Sequence, residues 1–119
     1  PLRSNQRDIG RSISHKALIV RLWLKGMEYS AIERRSKHSV EAIRRYIDLF
    51  KRVMALTDRS FDEASIAFLT KTSPQLVREY QKVYARYQGE AFFGRLLELK
   101  QYLKKTARIK TEEVVKQWL

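Results

Sequence analysis

Apolar side chains recur every three or four positions along most of this chain of 119 residues, which is the spacing of amphipathic α-helices. Between His15 and Lys25 the apolar stripe is formed by Leu18, Ile19, Leu22 and Trp23, and Gly26 follows as a helix-ending residue. The chain has only 4 Gly and 2 Pro and lacks a convincing alternating strand pattern. We therefore predict an all-α fold.

One helix is predicted on each side of the turn "SKH". The first begins at Ser30, where Ser30-x-x-Glu33 has the form of a capping box, and ends near Arg35. The second begins at Ser39 and extends to about Leu56. Its predicted inward face consists of Val40, Ile43, Ile47, Phe50 and Met54.

A similar pair follows the break "LTDRS". Ser60-x-x-Glu63 predicts a helix start before Phe61, Ile66 and Leu69, and Ser73 followed by Pro74 predicts the start of the next helix. The apolar positions of that helix are Leu76, Val77, Tyr80, Val83, Tyr84 and Tyr87, and we expect its tyrosines to be core residues.

The last part of the chain predicts a helical extension. Gly89 separates a helix over about residues 90–105 from the preceding one, and a final helix begins at Thr111 with Glu112 and Glu113 in its first turn. The stripe of the 90–105 helix suits either a core or a homodimer seam. It consists of Phe92, Leu96, Leu99 and Leu103.

The two helix pairs are repeats of one another with an offset of 34 residues. This offset places Ile32 on Ile66, Ser39 on Ser73, Arg44 on Arg78 and Tyr46 on Tyr80, and it aligns the end of the long third helix with the first helix. We predict two tandem units that share this long helix, at residues 15–56 and 57–88, between a basic arm at 1–14 and an extension at 89–119. A helical solenoid also has this period and is the minor alternative, although two copies are below its usual minimum and its Trp/Gly/Ala/Pro pattern is missing.

The charge of the chain favours a polyanionic partner. It has 25 Lys and Arg against 13 Asp and Glu, a net charge of +12, and the first sixty residues hold +8 of it. Nucleic acid is the first expectation and an anionic membrane surface the second. The absence of Cys suits a reducing, cytoplasmic setting, and no apolar run is long enough to span a membrane. Because the sequence starts without Met and ends on "VVKQWL", we expect a fragment of a longer protein.

The segment "YSAIERRSKHSVEAIRRYI" resembles the helix-turn-helix of prokaryotic regulators, sigma factors and transposases. The resemblance covers Lys16–Arg52 well and Phe61–Tyr87 less well, and "SKH" lacks the Gly that the family often has in its turn. The tandem pair with a helical tail is also similar to an uncharacterised prokaryotic domain family of mobile-element character. The core positions of the helix-turn-helix family are occupied by Ile32, Val40, Ile43 and Ile47.

This resemblance implies a module that binds double-stranded DNA, with the helix from Ser39 onward in the major groove. Arg44 or Arg45 would bind guanine, and Glu41 would accept from cytosine. Outward positions of that helix are Glu41, Ala42, Arg44, Arg45 and Asp48. Contacts to phosphates are expected from Tyr29, Ser30, Arg34, Arg35, Lys37 and His38, and minor-groove contacts from Arg3, Arg7 and Arg11.

The second unit has fewer positive charges around its turn. Gln75 would read adenine, and Ser73, which would cap its helix, is also an expected DNA contact, while Lys71, Arg78, Lys82 and Arg86 would hold phosphates. Leu76 and Glu79 equally suit packing or dimerisation. Two tandem units need not bind a palindromic site, and we expect a continuous asymmetric DNA site longer than one half-site.

Catalysis is not expected, nor is a cofactor or a metal. His15 and His38 lack a second ligand at metal spacing, and no nucleotide-binding loop or catalytic triad is present. The sequence thus predicts a DNA-binding protein of transcriptional regulation or mobile-element recognition. The alternative is a helical module whose basic surface binds RNA or an acidic protein.

Overall fold

The computed structural model describes residues 14–118, which form seven α-helices and no strand. In chain order they are α1 (His15–Leu24), α2 (Tyr29–Ser36), α3 (Val40–Asp58), α4 (Glu63–Thr70), α5 (Pro74–Tyr87), α6 (Phe93–Ala107) and α7 (Thr111–Trp118). A short 3-10 helix, Gln88–Glu90, follows α5. The predicted all-α fold is confirmed.

The sequence repeat is reproduced by the backbone, helix by helix. Helices α2 and α4 each have eight residues, and α3 and α5 each begin after a three-residue turn, 34 positions apart. Each turn opens with a lysine in the left-handed conformation, Lys37 at φ 62° and Lys71 at φ 58°. Each turn closes with a serine whose hydroxyl accepts from the N–H three residues on, at 3.1 Å for both Ser39 and Ser73.

Helix α3 belongs to both units, as predicted. Its last residue, Asp58, lies 34 positions after Leu24, the last residue of α1. Both helix ends are followed by a residue of positive φ, Gly26 at 97° and Ser60 at 67°. The second half of α3 therefore serves the second unit in the way that α1 serves the first.

The two predicted capping boxes are wrong. Helix α2 begins at Tyr29 after Glu28, which makes no side-chain cap bond, so Ser30 lies within the helix. Helix α4 is capped by Asp62, whose carboxylate accepts from the N–H of Ser65 at 2.7 Å. Because Ser60 is needed in the left-handed turn that ends α3, it cannot also begin α4.

The two units share one hydrophobic core, in which Phe50 of α3 is central. The Phe50 ring meets Trp23 of α1 edge-on with 6.4 Å between ring centroids, and Tyr80 of α5 at 5.6 Å. All three side chains are fully buried, and α1 packs directly against α5. Tyr80 is a core residue as predicted, since its side chain is fully buried. Its hydroxyl donates to the carbonyl oxygen of Tyr46, and burial raises the pKa of Tyr80.

The C-terminal helices are fastened to the shared helix. The Arg59 guanidinium, just past α3, donates to the carbonyl oxygens of Thr106 and Ile109, and Lys51 pairs with Glu98 at 2.7 Å. Of the predicted stripe of α6, Leu99 is fully buried, Leu103 packs against the core and Leu96 is half-buried.

Phe92 does not belong to the core, because its side chain is 58% exposed. It is the residue before α6, and its ring packs over Gly26 and Gly94 at the surface. The neighbouring Phe93 is 76% exposed, so the start of α6 presents two aromatic rings to solvent.

Candidate nucleic-acid interface

Five cationic side chains surround the turn of the first unit. They lie on the last turn of α2, in the turn itself and on the second turn of α3, and all are exposed: Arg34, Arg35, Lys37, Arg44 and Arg45. Within residues 14–118, none of them forms an ion pair with a carboxylate. Their charge is therefore available to an external anion.

The start of α3 is built so that part of its backbone remains open to a ligand. The Ser39 hydroxyl accepts from the N–H of Ala42, while the residue itself is exposed to solvent. Since the first N–H groups of a helix have no partner within the helix and carry partial positive charge, this end attracts an anion together with Lys37 beside it.

Arg44 is supported by an aromatic ring. Its guanidinium lies over the ring of Tyr29, with the central carbon 5.5 Å from the ring centroid. Tyr29 itself is half-buried and packs against the core at the first residue of α2. The stacking restrains Arg44 through its flat face and leaves the N–H groups at its edge free to donate.

His38 points inward and not to the outer surface. Its ring meets His15 at 5.9 Å and Tyr46 at 5.6 Å, both edge-on. It lines a groove of about 510 Å³ between the two units, whose other walls include Ser14, Lys16, Thr72, Ser73, Gln75 and Glu79. The predicted phosphate contact of His38 would therefore have to be made at the rim of this groove.

One predicted contact residue faces the wrong way. Ala42 is only 7% exposed and belongs to the inner face of α3, so it is not an outward position as predicted. The other outward predictions on α3 are confirmed as exposed, namely Glu41, Arg44, Arg45 and Asp48, and Ser30 is exposed on α2.

The second unit presents a different surface at the equivalent positions. Arg78 pairs with Glu63 at 2.5 Å, and Gln75 donates from its side-chain amide to Glu79 at 3.3 Å. Glu79 is itself buried and accepts from the N–H of Ser14 at 2.9 Å. All the predicted contacts of this unit are exposed, namely Lys71, Ser73, Gln75, Arg78, Lys82 and Arg86, but Gln75 and Arg78 already bind carboxylates of this chain.

Two acidic residues of this region make contacts that the sequence does not predict. Glu63 is predicted at a helix start and Glu79 at a packing or dimerisation position, yet each binds a side chain that is predicted to contact DNA. The signal was available in the repeat, since the offset of 34 places Glu63 on Tyr29 and Glu79 on Arg45.

Three predicted contact residues lie outside the described part of the chain, and the remaining points concern metal sites and membrane-spanning helices. Arg3, Arg7 and Arg11 lie before residue 14. Between residues 14 and 118, no three His, Cys, Asp or Glu side chains come together as a metal site would require. Over the same residues, no helix has the length and apolar character needed to cross a membrane.

Comparison with known proteins identifies a family but no characterised relative. The profile of the family described as "Protein of unknown function (DUF1670)" matches residues 1–83, which is more than half of the chain, and the chain therefore belongs to this family. No curated protein and no solved structure matches it.

Proposed function

We propose that this member of the DUF1670 family is a double-stranded DNA-binding module in which α3 of the first unit enters the major groove. The observation that carries this proposal is the group of five exposed cations around one turn, none of them paired within residues 14–118. A major groove admits one helix, and the exposed side of α3 presents two arginines on its second turn.

Each part of this surface has a separate role in the proposal. Arg34, Arg35 and Lys37 neutralise phosphates on either side of the groove, which supplies affinity without sequence preference. In this proposal Arg44 and Arg45 make bidentate contacts to guanine, and Glu41, on the first turn of α3, accepts from cytosine. The biological setting is transcriptional control or the recognition of mobile-element DNA.

The experiment is a selection from a pool of random duplexes with the purified chain, followed by affinity measurements across a salt series. We expect a preferred duplex and a logarithmic salt dependence with a slope of about −0.9 for each phosphate neutralised. Competition by duplex RNA, single-stranded RNA and an acidic polypeptide tests the alternative ligands. Failure of every duplex DNA to bind near physiological salt would overturn the proposal, and stronger binding of RNA or polypeptide would replace it with the alternative.

A further inference from the structure

The two units differ at one pair of equivalent positions in a way that bears on their charge. In the first unit, Tyr29 at the start of α2 lies against Arg44 of α3. In the second unit, the equivalent position at the start of α4 is Glu63, and it pairs with Arg78 of α5. In both units the backbone brings these two equivalent positions together, but the arginine contacts an aromatic ring in the first unit and a carboxylate in the second.

These two partners have opposite effects on an arginine. An aromatic ring attracts the guanidinium through its face, so that the positive charge and the edge N–H donors remain available. A carboxylate accepts from those same donors and cancels the charge. Arg78, although 54% exposed, is thus already bound to an anion from its own chain.

The adjacent equivalent positions extend the difference. Arg45 is exposed, whereas its counterpart Glu79 is buried and accepts from Gln75 and from the N–H of Ser14. Residues 28–45 contain five cationic and three anionic side chains, and the equivalent residues 62–79 contain two and three. The first segment therefore carries a net positive charge, and the second does not.

The turn of the second unit differs in polarity as well. Phe68 occupies the position that corresponds to Arg34, and it is 69% exposed. An apolar ring provides no attraction for phosphate, so the last turn of α4 lacks the contact that the last turn of α2 would make.

We infer, on the basis of the proposed function, that each chain contacts DNA at a single major-groove segment. The residue at position 29, and its equivalent at position 63, determines which unit makes that contact. Tyr29 keeps Arg44 available in the first unit, and Glu63 neutralises Arg78 in the second. The second unit therefore has the backbone for groove binding but lacks the charge.

The test changes Glu63 of the second unit so that it no longer neutralises Arg78. Glu63→Tyr reproduces the first unit's pair, and Glu63→Gln removes the charge with little change in shape. On the duplex selected by the wild type, we expect severalfold tighter binding, a salt slope steeper by about 0.9 for each added phosphate contact, and a longer hydroxyl-radical footprint. Glu90→Gln is the matched control, because Glu90 is exposed and unpaired within residues 14–118, and it should leave the slope and footprint unchanged.

The outcomes separate this inference from the proposed function. If the wild type binds duplex DNA and both Glu63 variants keep its slope and footprint, the inference is wrong and the proposed function stands. A wild-type footprint over two groove segments that Arg78→Ala shortens also contradicts the inference. If the wild type binds no duplex, the proposed function fails and the inference fails with it. Thermal melting of each variant confirms that the fold is retained.

Discussion

The two repeat units have the same backbone and different surfaces. The bounds of α2 and α4, the starts of α3 and α5, the left-handed turn lysines and the serine caps coincide at an offset of 34 residues, and the two cap distances are equal at 3.1 Å. Yet Arg34, Tyr29 and Arg45 of the first unit are replaced by Phe68, Glu63 and Glu79 in the second. Equivalent buried and backbone-determining positions therefore give both units the same fold, while a few exposed positions decide which charges each unit presents.

The largest expected effects are losses of stability from substitutions in the core, and they should be similar in the two units. Ile32 and Ile66 occupy equivalent positions and are both fully buried. Replacing either with Ala should lower the free energy of unfolding by about 2–5 kcal/mol through lost apolar contact and a residual cavity. Since α3 is shared and α1 packs on α5, urea denaturation should show one transition for both variants.

A control and a contrary result are available for this prediction. Phe68→Ala removes a side chain that is 69% exposed, so its free energy of unfolding should change by less than about 0.5 kcal/mol. Two separate transitions, with only one displaced by each isoleucine variant, would mean that the units unfold independently and that the common core contributes little.

The next largest expected effect is on DNA affinity, in which the two units should differ. Arg44→Ala should weaken binding to the selected duplex by about 1–3 kcal/mol and relax the preference at one base position, if Arg44 makes the proposed bidentate contact. Arg78→Ala, the equivalent change in the second unit, should leave the affinity nearly unchanged because Arg78 is paired with Glu63. Fluorescence anisotropy with the selected duplex and its single-base variants measures both, and equal losses from the two variants would contradict the proposed difference between the units.

Much of this fold could be predicted from the sequence, because the features that determine it are local or periodic. The serine caps before α3 and α5, the stop at Gly26, the shared long helix and the buried positions Ile43, Ile47 and Phe50 all follow from spacing and capping chemistry. The capping boxes failed because Ser30 lies inside α2, one residue after its start, and Ser60 lies in the left-handed turn that ends α3. Extending the repeat from Gly26 would have placed Ser60 at the end of α3.

The candidate site was less predictable, because it depends on contacts between residues distant in sequence. Nothing in the local pattern indicates that Glu63 reaches Arg78 or that Glu79 binds the N–H of Ser14, since tertiary packing brings these groups together. Ala42 was assigned to the outer face although the inner stripe of α3 is wide enough to include it. The concentration of like charge around the first turn is readable from the sequence, and the repeat shows which equivalent positions of the second unit are acidic. Only the structure shows which side chains those carboxylates bind.

Smaller effects are expected from removing the two serine caps, which should have similar effects on stability and different effects on DNA binding. Ser39→Ala and Ser73→Ala each remove a hydroxyl that accepts from a helix N–H at 3.1 Å, so each should lower the free energy of unfolding by about 1 kcal/mol. Only Ser39→Ala should also weaken binding to the selected duplex, because its helix is the one proposed to enter the groove. Equal binding losses from the two variants, measured where both proteins remain folded, would indicate that both helix starts contact DNA.

The smallest expected effect concerns the caps that begin α2 and α4, where the units differ. The carboxylate of Asp62 accepts from Ser65, and these hydrogen bonds lower the pKa of Asp62, whereas the equivalent Glu28 makes no cap bond. A lowered pKa in the folded state means that Asp62 stabilises the fold at neutral pH, and that this contribution is lost as the pH falls through its pKa.

The measurement for Asp62 is a series of melting temperatures from pH 7 down to pH 2. Asp62→Ala should melt below the wild type at pH 7, and the difference should shrink as the wild-type carboxylate becomes protonated. Glu28→Ala, the matched change in the first unit, should show a smaller difference at pH 7, because no cap bond is lost. If the Asp62→Ala deficit is unchanged at low pH, the carboxylate charge does not stabilise α4, and the two helix starts are equivalent in this respect as well.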